Sequence, residues 1–354
     1  MNLNLNLSLK PLISPCYTVT VFESNISARP EQAVPPDPPD LSVVIVSWNV
    51  RDLLVRCIQA LHDEAVRDGL RVQIIVVDNN STDGSAQAVR CFPSVELIQT
   101  GRNLGYGRAN NIGLRAARGR HLLVLNPDTV PHPGSLKALV EFAQRHPRAG
   151  IVAPRLLNAD GTVQPNAFRF PTLAMALLDL FPLPWFVPGR VRARLYRSRL
   201  NGRYPQEETA HRPFRIDHPL GACMLINRRA YEQAGGFDHA LFMYSEEVDL
   251  ALRYRKAGWQ CWQVPQAVVT HFGGQSTRQL PDRMFVELWR SRLYVYARHY
   301  SRTSQALLRL ILALAQLRDL AFTLLLYALG RIGPHEAQRR VRRASAVLRL
   351  VRWR

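Results

Sequence analysis

Between Leu41 and Leu125 short, unbroken apolar runs alternate with segments whose apolar residues recur every three or four positions. The runs are Leu41–Ser47, 72–77, 95–98 and His121–Leu125, all rich in Val, Ile or Leu. Runs of this length suit parallel strands buried on both faces. The stretches between them, 51–64, 85–91 and 107–118, carry helical spacing. Strand and helix in alternation predict a doubly wound α/β sheet with its ligand crevice outside the carboxyl ends of the strands. Polar clusters stand at three of those ends: Ser47-Trp48-Asn49, Asp78 to Gly84, and Asn126-Pro127-Asp128-Thr129. One such cluster is ordinary loop chemistry; three in register mark a site.

The flanks follow other rules. Residues 1–40 end in Pro35-Pro36-Asp37-Pro38-Pro39-Asp40, a stiff polar stretch that neither a helix nor a central strand tolerates. They read as a disordered or loosely attached leader, with an edge strand over 17–22 as the alternative. Downstream, Asn158-Ala159-Asp160-Gly161 predicts a hairpin turn. Residues 173–187 are apolar and aromatic, and Arg190, Arg192, Arg194, Arg197, Arg199 and Arg203 follow them. A second folded block is expected over 218–271, and helix from Pro281 onward. Residues 307–329 are strongly apolar but interrupted by Arg309, Gln316, Arg318 and Asp319, which suits an interfacial or core-packed helix better than a spanning one. Residues 331–354 hold eight Arg and one Glu, with Val341, Leu348, Leu350 and Val351 interleaved and Trp353 near the end. That is the pattern of a membrane-surface helix, with a plain solvated basic helix as the dull alternative.

Composition narrows the partners. The chain has 354 residues, 47% of them hydrophobic, so it can bury a large core and is not disordered throughout. Its formal net charge of +19 asks for an anionic partner. No helix-turn-helix, zinc-finger or RRM pattern is visible, so no nucleic acid is expected. The five cysteines are odd in number and form no CxxC, which fits a reducing compartment. The first thirteen residues carry one cation, Lys10, and no continuous apolar stretch, so no signal peptide is read and a cytoplasmic location is expected.

Each cluster has a functional and a plain reading. Asp78 closes a buried strand, where a carboxylate can accept from a nucleobase imide; Ser81 or Asp83 can instead serve as a helix N-cap. Asn103-Leu104-Gly105-Tyr106-Gly107 opens a helix whose amides favour phosphate, or is simply a turn and a cap. Asp128 beside Asn126 suits a hard divalent cation, or an Asx-type turn. Glu246, Glu247 and Asp249 open a helix, where acids complement the macrodipole; three in four positions also supply a general base. His271 ends a strand and becomes a metal-ligand candidate only if that strand returns to the same edge.

Taken in order, these motifs resemble the family 2 glycosyltransferases of GT-A fold, and within them the bacterial rhamnosyltransferase-like branch. The matching stretches are Val-Ile-Val-Ser-Trp-Asn, Val-Val-Asp-Asn-Asn-Ser-Thr-Asp-Gly-Ser, Asn-Leu-Gly-Tyr-Gly-Arg-Ala-Asn-Asn, Leu-Asn-Pro-Asp-Thr, Gly-Gly-Phe-Asp, Met-Tyr-Ser-Glu-Glu-Val-Asp-Leu and His-Phe-Gly-Gly-Gln-Ser. The resemblance implies a Rossmann-like, mostly parallel sheet over 41–277, with a donor half (41–157), an acceptor half (158–277) and a helical, basic, membrane-associating region (278–354). By position, Ser47, Asn49 and Asp78 would contact the nucleoside, and Asn103, Gly105 and Asn110 would line the donor pocket. Asn126 and Asp128 stand at the family's DxD metal motif, with His271 as a further metal or diphosphate contact, for Mg²⁺ or Mn²⁺. Glu247 stands where the family has the Asp of its Glu-Asp base motif, and Asp249 is the second candidate. Two departures are plain: Asn126 replaces the first Asp of DxD, and Glu247 is one methylene longer than the usual base. The expected activity is inverting, metal-dependent transfer of a sugar, first choice rhamnose from dTDP-rhamnose, to a lipid-linked or polysaccharide acceptor in cell-envelope glycan synthesis. UDP- or GDP-hexose donors and a non-catalytic nucleotide-sugar-binding scaffold are the alternatives. The expected place is peripheral, on the cytoplasmic face of an anionic membrane.

Overall fold

A computed structural model describes residues 37–184, 186–273 and 281–351. The leader, the loop over 274–280 and Trp353 lie outside them, and so do the readings made there. The chain runs β1 (Leu41–Ser47), α1 (Arg51–Asp68), β2 (Val72–Asp78), α2 (Ser85–Val89), β3 (Val95–Gln99), α3 (Tyr106–Ala116), β4 (His121–Leu125), β5 (Thr129–Pro131), α4 (Ser135–Arg145), β6 (Ala149–Leu157), β7 (Val163–Gln164) and β8 (Ala167–Phe168). It continues through α5 (Leu173–Leu180), α6 (Gly189–Tyr196), β9 (Phe214–Ile216), β10 (His218–Pro219), β11 (Cys223–Asn227), α7 (Arg228–Ala234), α8 (Glu246–Lys256) and β12 (Gln260–His271). Three long helices close it: α9 (Pro281–His299), α10 (Arg302–Ala328) and α11 (Pro334–Val351).

Ten strands form one sheet, in the order β3-β2-β1-β4-β11-β6-β12-β5, with β7 beside β6 and β9 beside β12. The first four are parallel, as the apolar runs predict. Their alternate residues serve two cores: Val43, Ile45, Ile74 and Val76 face one side, and Val44, Val46, Ile75 and Val77 the other. Helix α3 lies on that second side and approaches closely at Gly113, where a Cβ would come within 2.3 Å of Val44. The expected second block over 218–271 is not separate. Its strand β11 enters the same sheet antiparallel between β4 and β6, and β12 pairs parallel with β6. The sheet is therefore parallel in its first half and mixed in its second.

Register brings the polar strand ends together. Ser47 pairs with Asp78, and Ile45 with Leu125 just before Asn126. Strand β12 returns to the same edge, with His271 opposite Thr129. Loop–loop bonds fix the edge: the Asn49 carboxamide oxygen accepts from the Thr82 amide at 2.8 Å. Asp83 accepts from the Arg51 amide at 2.8 Å, so it caps α1 from the next loop.

The C-terminal helices build a third core. Ala176 and Leu180 of α5 meet Trp289, Leu293 and Tyr296 of α9, Leu308 and Leu312 of α10, and Val347 of α11. Of the apolar positions of the basic helix α11, Leu350 and Val351 pack against this core beside Val347, while Val341 and Leu348 stay half-buried.

Candidate active site

A cleft of about 250 Å³ opens at the carboxyl edge of β1, β2 and β4. Asn126, Asp128 and His271 form one wall, and Glu246 and Glu247 another. Asn79, Asn103 and Tyr106 lie between, with Trp48, Gly221, Met243 and Tyr244 completing the lining.

The wall at β4 and β5 is a network around His271. Its Nε2 lies 3.3 Å from the Asp128 carboxylate and 3.4 Å from the Asn126 carboxamide nitrogen. Its Nδ1 lies 2.7 Å from Gln164 Oε1. An amide oxygen only accepts, and the Gln164 nitrogen is occupied by Asn158 Oδ1 at 2.9 Å. Nδ1 therefore carries the proton, and Nε2 turns its lone pair to Asp128 and Asn126. One carboxylate and one imidazole nitrogen at this spacing fit a divalent ion that takes its other ligands from water and a diphosphate. Among the described residues no third His, Cys, Asp or Glu joins them.

The other wall is the start of α8. Two consecutive non-glycine residues, Tyr244 (φ 70) and Ser245 (φ 63), adopt the left-handed conformation just before Glu246. Such backbone costs of order 1–3 kcal/mol per residue and persists only where surroundings enforce it. Helix α9 supplies that enforcement: Ser291 donates to the Met243 carbonyl at 2.8 Å, Tyr294 donates to Asp238 at 2.9 Å, and Arg283 stacks on Phe242. Glu246 is buried with one carboxyl oxygen unpartnered, while Glu247 is partly open to the cleft. Burial pushes both carboxyls above the usual range, and the charge of Glu247 pushes Glu246 further. The arrangement favours a neutral Glu246 beside a Glu247 that can take a proton near neutral pH.

Other residues fall elsewhere. Asp249 is fully buried and does not line the cleft; it accepts from Arg253 Nε at 2.7 Å and meets His299 Nε2 at 2.7 Å. Asp78 is buried and accepts from the Ser81 amide at 3.3 Å. Ser47 keeps a buried, unpartnered hydroxyl, and Asn49 ties two loops together. Their neighbours Val46, Trp48 and Asn79 reach the cleft instead. Asn103 lines it and accepts from the Gly105 amide at 3.0 Å. Gly105 itself (φ 82) leaves no space for a side chain, since a Cβ would lie 2.2 Å from the Phe242 carbonyl. Asn110 sits beneath, donating to the Tyr106 carbonyl at 3.0 Å.

Sequence reasoning missed Tyr106, Asn79 and Gln164. Tyr106 donates to the Gly221 carbonyl and so joins α3 to the segment before β11. Asn79 accepts from the Leu104 amide at 2.9 Å and donates to Asn103 at 3.1 Å. Both stand inside quoted motifs. Gln164 carries no local signal at all.

The cleft lies where the strand order reverses between β1 and β4, the place where open α/β sheets bind their ligands. The model of the family described as "Glycosyl transferase family 2" matches residues 42–235, more than half of the chain. The N-acetylglucosaminyl-diphospho-decaprenol L-rhamnosyltransferase of Mycobacterium tuberculosis (strain ATCC 25618 / H37Rv) is 37% identical over 253 residues, 68% of this chain and 78% of that one. Rhamnosyltransferase WbbL of Escherichia coli (strain K12) is 23% identical over 251 residues, 69% of this chain and 87% of that one. The solved mannosyltransferase PcManGT from Pyrobaculum calidifontis, in complex with GDP-Man and Mn2+, shares the fold at a TM-score of 0.52 and 16% identity, over 91% of this chain and 89% of that one. The chain belongs to glycosyl transferase family 2 and is a glycosyltransferase of the rhamnosyltransferase-like branch.

Proposed function

We propose that the protein is an inverting, metal-dependent rhamnosyltransferase of cell-envelope glycan synthesis, taking rhamnose from dTDP-rhamnose to a lipid-linked acceptor on the cytoplasmic face of the membrane. One observation carries this reading: Glu247 and the Asp128–His271 pair line the same cleft. The relatives named for rhamnosyl transfer, one of them onto a decaprenol-linked sugar, support the donor and the acceptor class.

Chemistry follows from the placement. Glu247 removes the proton of the acceptor hydroxyl as that oxygen bonds to the anomeric carbon. The bond from that carbon to the diphosphate breaks on the opposite face, which inverts the configuration. Mg²⁺ or Mn²⁺, held by Asp128 and His271, would offset the charge of the departing diphosphate. Asn126, neutral where an acid is usual, lies beside His271 Nε2 and leaves the site one negative charge poorer. Asp249 holds α8 against α9 and takes no part in the proton transfer. The nucleoside is assigned to the edge built by Ser47, Asn49 and Asp78, with Asn103, Gly105 and Asn110 shaping the donor pocket.

The arginines after α5 are a candidate contact for the acceptor diphosphate. Arg197 is paired with Glu208 and Arg203 stacks on Phe168, so the exposed Arg190, Arg194 and Arg199 remain for it. Their joint replacement by Gln is expected to raise the KM for a lipid-linked acceptor and leave nucleotide binding unchanged.

Thermal-shift binding of dTDP, UDP and GDP, each with and without Mn²⁺, tests the donor site on wild type and Asp128→Ala. A metal-dependent shift with dTDP that Asp128→Ala abolishes is the expected result; a shift with UDP or GDP alone moves the donor. Binding without turnover of dTDP-rhamnose, even by slow hydrolysis, would favour the scaffold reading.

A further inference from the structure

Helix α10 is apolar on two sides. Into the protein it turns Leu308, Leu312 and Ala315, and with them Gln316 and Thr323, which are 2% and 3% exposed. With Asp319 those two line a small polar cavity of about 100 Å³ shared with Arg340 and Arg343 of α11. Outward it turns Leu307, Leu310, Leu314, Leu317, Leu324 and Leu325, each between 42% and 60% exposed. At the 3.6-residue period these positions cover roughly 100° of the circumference, and Phe322, 56% exposed, widens the face to roughly 160°. The one charge in that arc, Arg318, bends back to Asp319 and over the Phe181 ring.

The breadth of this face identifies its occupant. A coiled-coil partner takes a narrow seam bordered by charges. Here Leu307, Leu310, Leu314 and Leu317 keep the three-four spacing of such a seam, but Ile311, Phe322 and Leu325 border it. Cations lie on the helices packed against α10: Arg283 of α9 and Arg339, Arg342 and Arg343 of α11 line a groove of about 480 Å³ together with Asp282. Arg339 and Arg343 pair with Asp282, while Arg342 and Arg349 stand exposed. A wide apolar face on a bundle that carries exposed cations matches a bilayer whose headgroups are anionic.

We propose that α10 lies in the plane of an anionic membrane, its outward leucines among the acyl chains and the arginines of α9 and α11 at the lipid phosphates. By length and composition alone α10 could cross a membrane. Crossing would take Gln316 and Asp319 away from α11, whereas an in-plane helix keeps its polar side on the protein. The lipid-linked acceptor gives this docking its purpose, but the test reads lipid binding without turnover.

The full-length protein is sedimented with vesicles of phosphatidylcholine alone and of phosphatidylcholine mixed with phosphatidylglycerol. Binding is expected to the mixed vesicles, to weaken with salt, and to be released by alkaline carbonate. Leu310→Gln/Leu314→Gln/Leu317→Gln is expected to cut it by about tenfold or more, with an unchanged nucleotide-induced thermal shift showing that the fold survives. The expected loss for Arg342→Gln/Arg349→Gln is smaller and confined to anionic vesicles. Wild-type binding by the triple leucine variant overturns the proposal. So does a carbonate-resistant wild type, or a wild-type dimer that the triple variant turns into monomer while vesicles capture neither. Vesicle binding that persists with no nucleotide shift would sink the transferase reading and leave the membrane face standing.

Discussion

Helices α1 and α10 differ in how many apolar sides they carry. Helix α1 buries Leu54, Cys57, Ile58 and Leu61 against the sheet and shows Arg51, Asp52, Arg56 and Asp63 to solvent. Helix α10 buries Leu308, Leu312 and Ala315 beside Gln316 and Thr323, and still shows Leu307, Leu310, Leu314, Leu317, Leu324 and Leu325. An apolar stripe is driven out of water in either case. The protein covers the one stripe of α1; at α10 it covers the inner one and leaves the outer one exposed.

The contrast can be broken at the cleft or at the bundle. The largest effect is expected from Glu247→Gln, which should lower kcat by ~10²–10⁴-fold with nucleotide binding intact in a thermal-shift assay. Because burial raises the Glu247 carboxyl, the base form appears only above the ordinary glutamate range of ~4.3. Activity should therefore climb with pH through that raised value, and the climb should vanish from the residual rate of the variant. The sign for stability is opposite: acids with raised folded-state values lose their contribution as pH rises through them, which a denaturation series across that window would show.

Next comes Gln164→Leu, which frees Nδ1 of His271. Losing the partner that orients a metal-binding imidazole weakens metal binding by roughly 10–100-fold, readable as a rise in the Mn²⁺ concentration needed for half-maximal rate. Gly105→Ala follows: left-handed backbone and the Phe242 carbonyl should together cost about 1–3 kcal/mol, seen in the denaturation midpoint. Its kcat should fall too, because Phe242 leads into the Glu247 loop. The smallest effect is expected at Gln316→Leu. Its amide nitrogen is buried and unpartnered, so the change should lie within about 1.5 kcal/mol and lean toward stabilisation. A large loss there would mean that the polar side of α10 is held by bonds the contrast leaves out.

The parallel half of the sheet was readable because continuous apolar runs leave little choice. Strands β1 and β4 match their expected bounds, and β2 and β3 are each one residue longer. The cleft was half readable. Asn103, Asn126, Asp128, Glu247 and His271 do line it, since strand ends and helix starts place side chains by register. Asp249 does not, because a helix turns by about 100° per residue, so two positions on it points elsewhere. Gln164 was invisible, being brought to His271 by a pairing across 107 residues. For α10 the sequence left interfacial and core-packed readings both open. Periodicity separates the faces of a helix but does not say which of them meets the protein.

The left-handed pair Tyr244–Ser245 links the two regions. The backbone there behaves as a bent spring whose catch is Ser291 on the Met243 carbonyl, carried by a helix that packs on α10. One hydroxyl on α9 thus anchors the turn from which α8 presents Glu247, so the C-terminal bundle is part of the scaffold of the cleft.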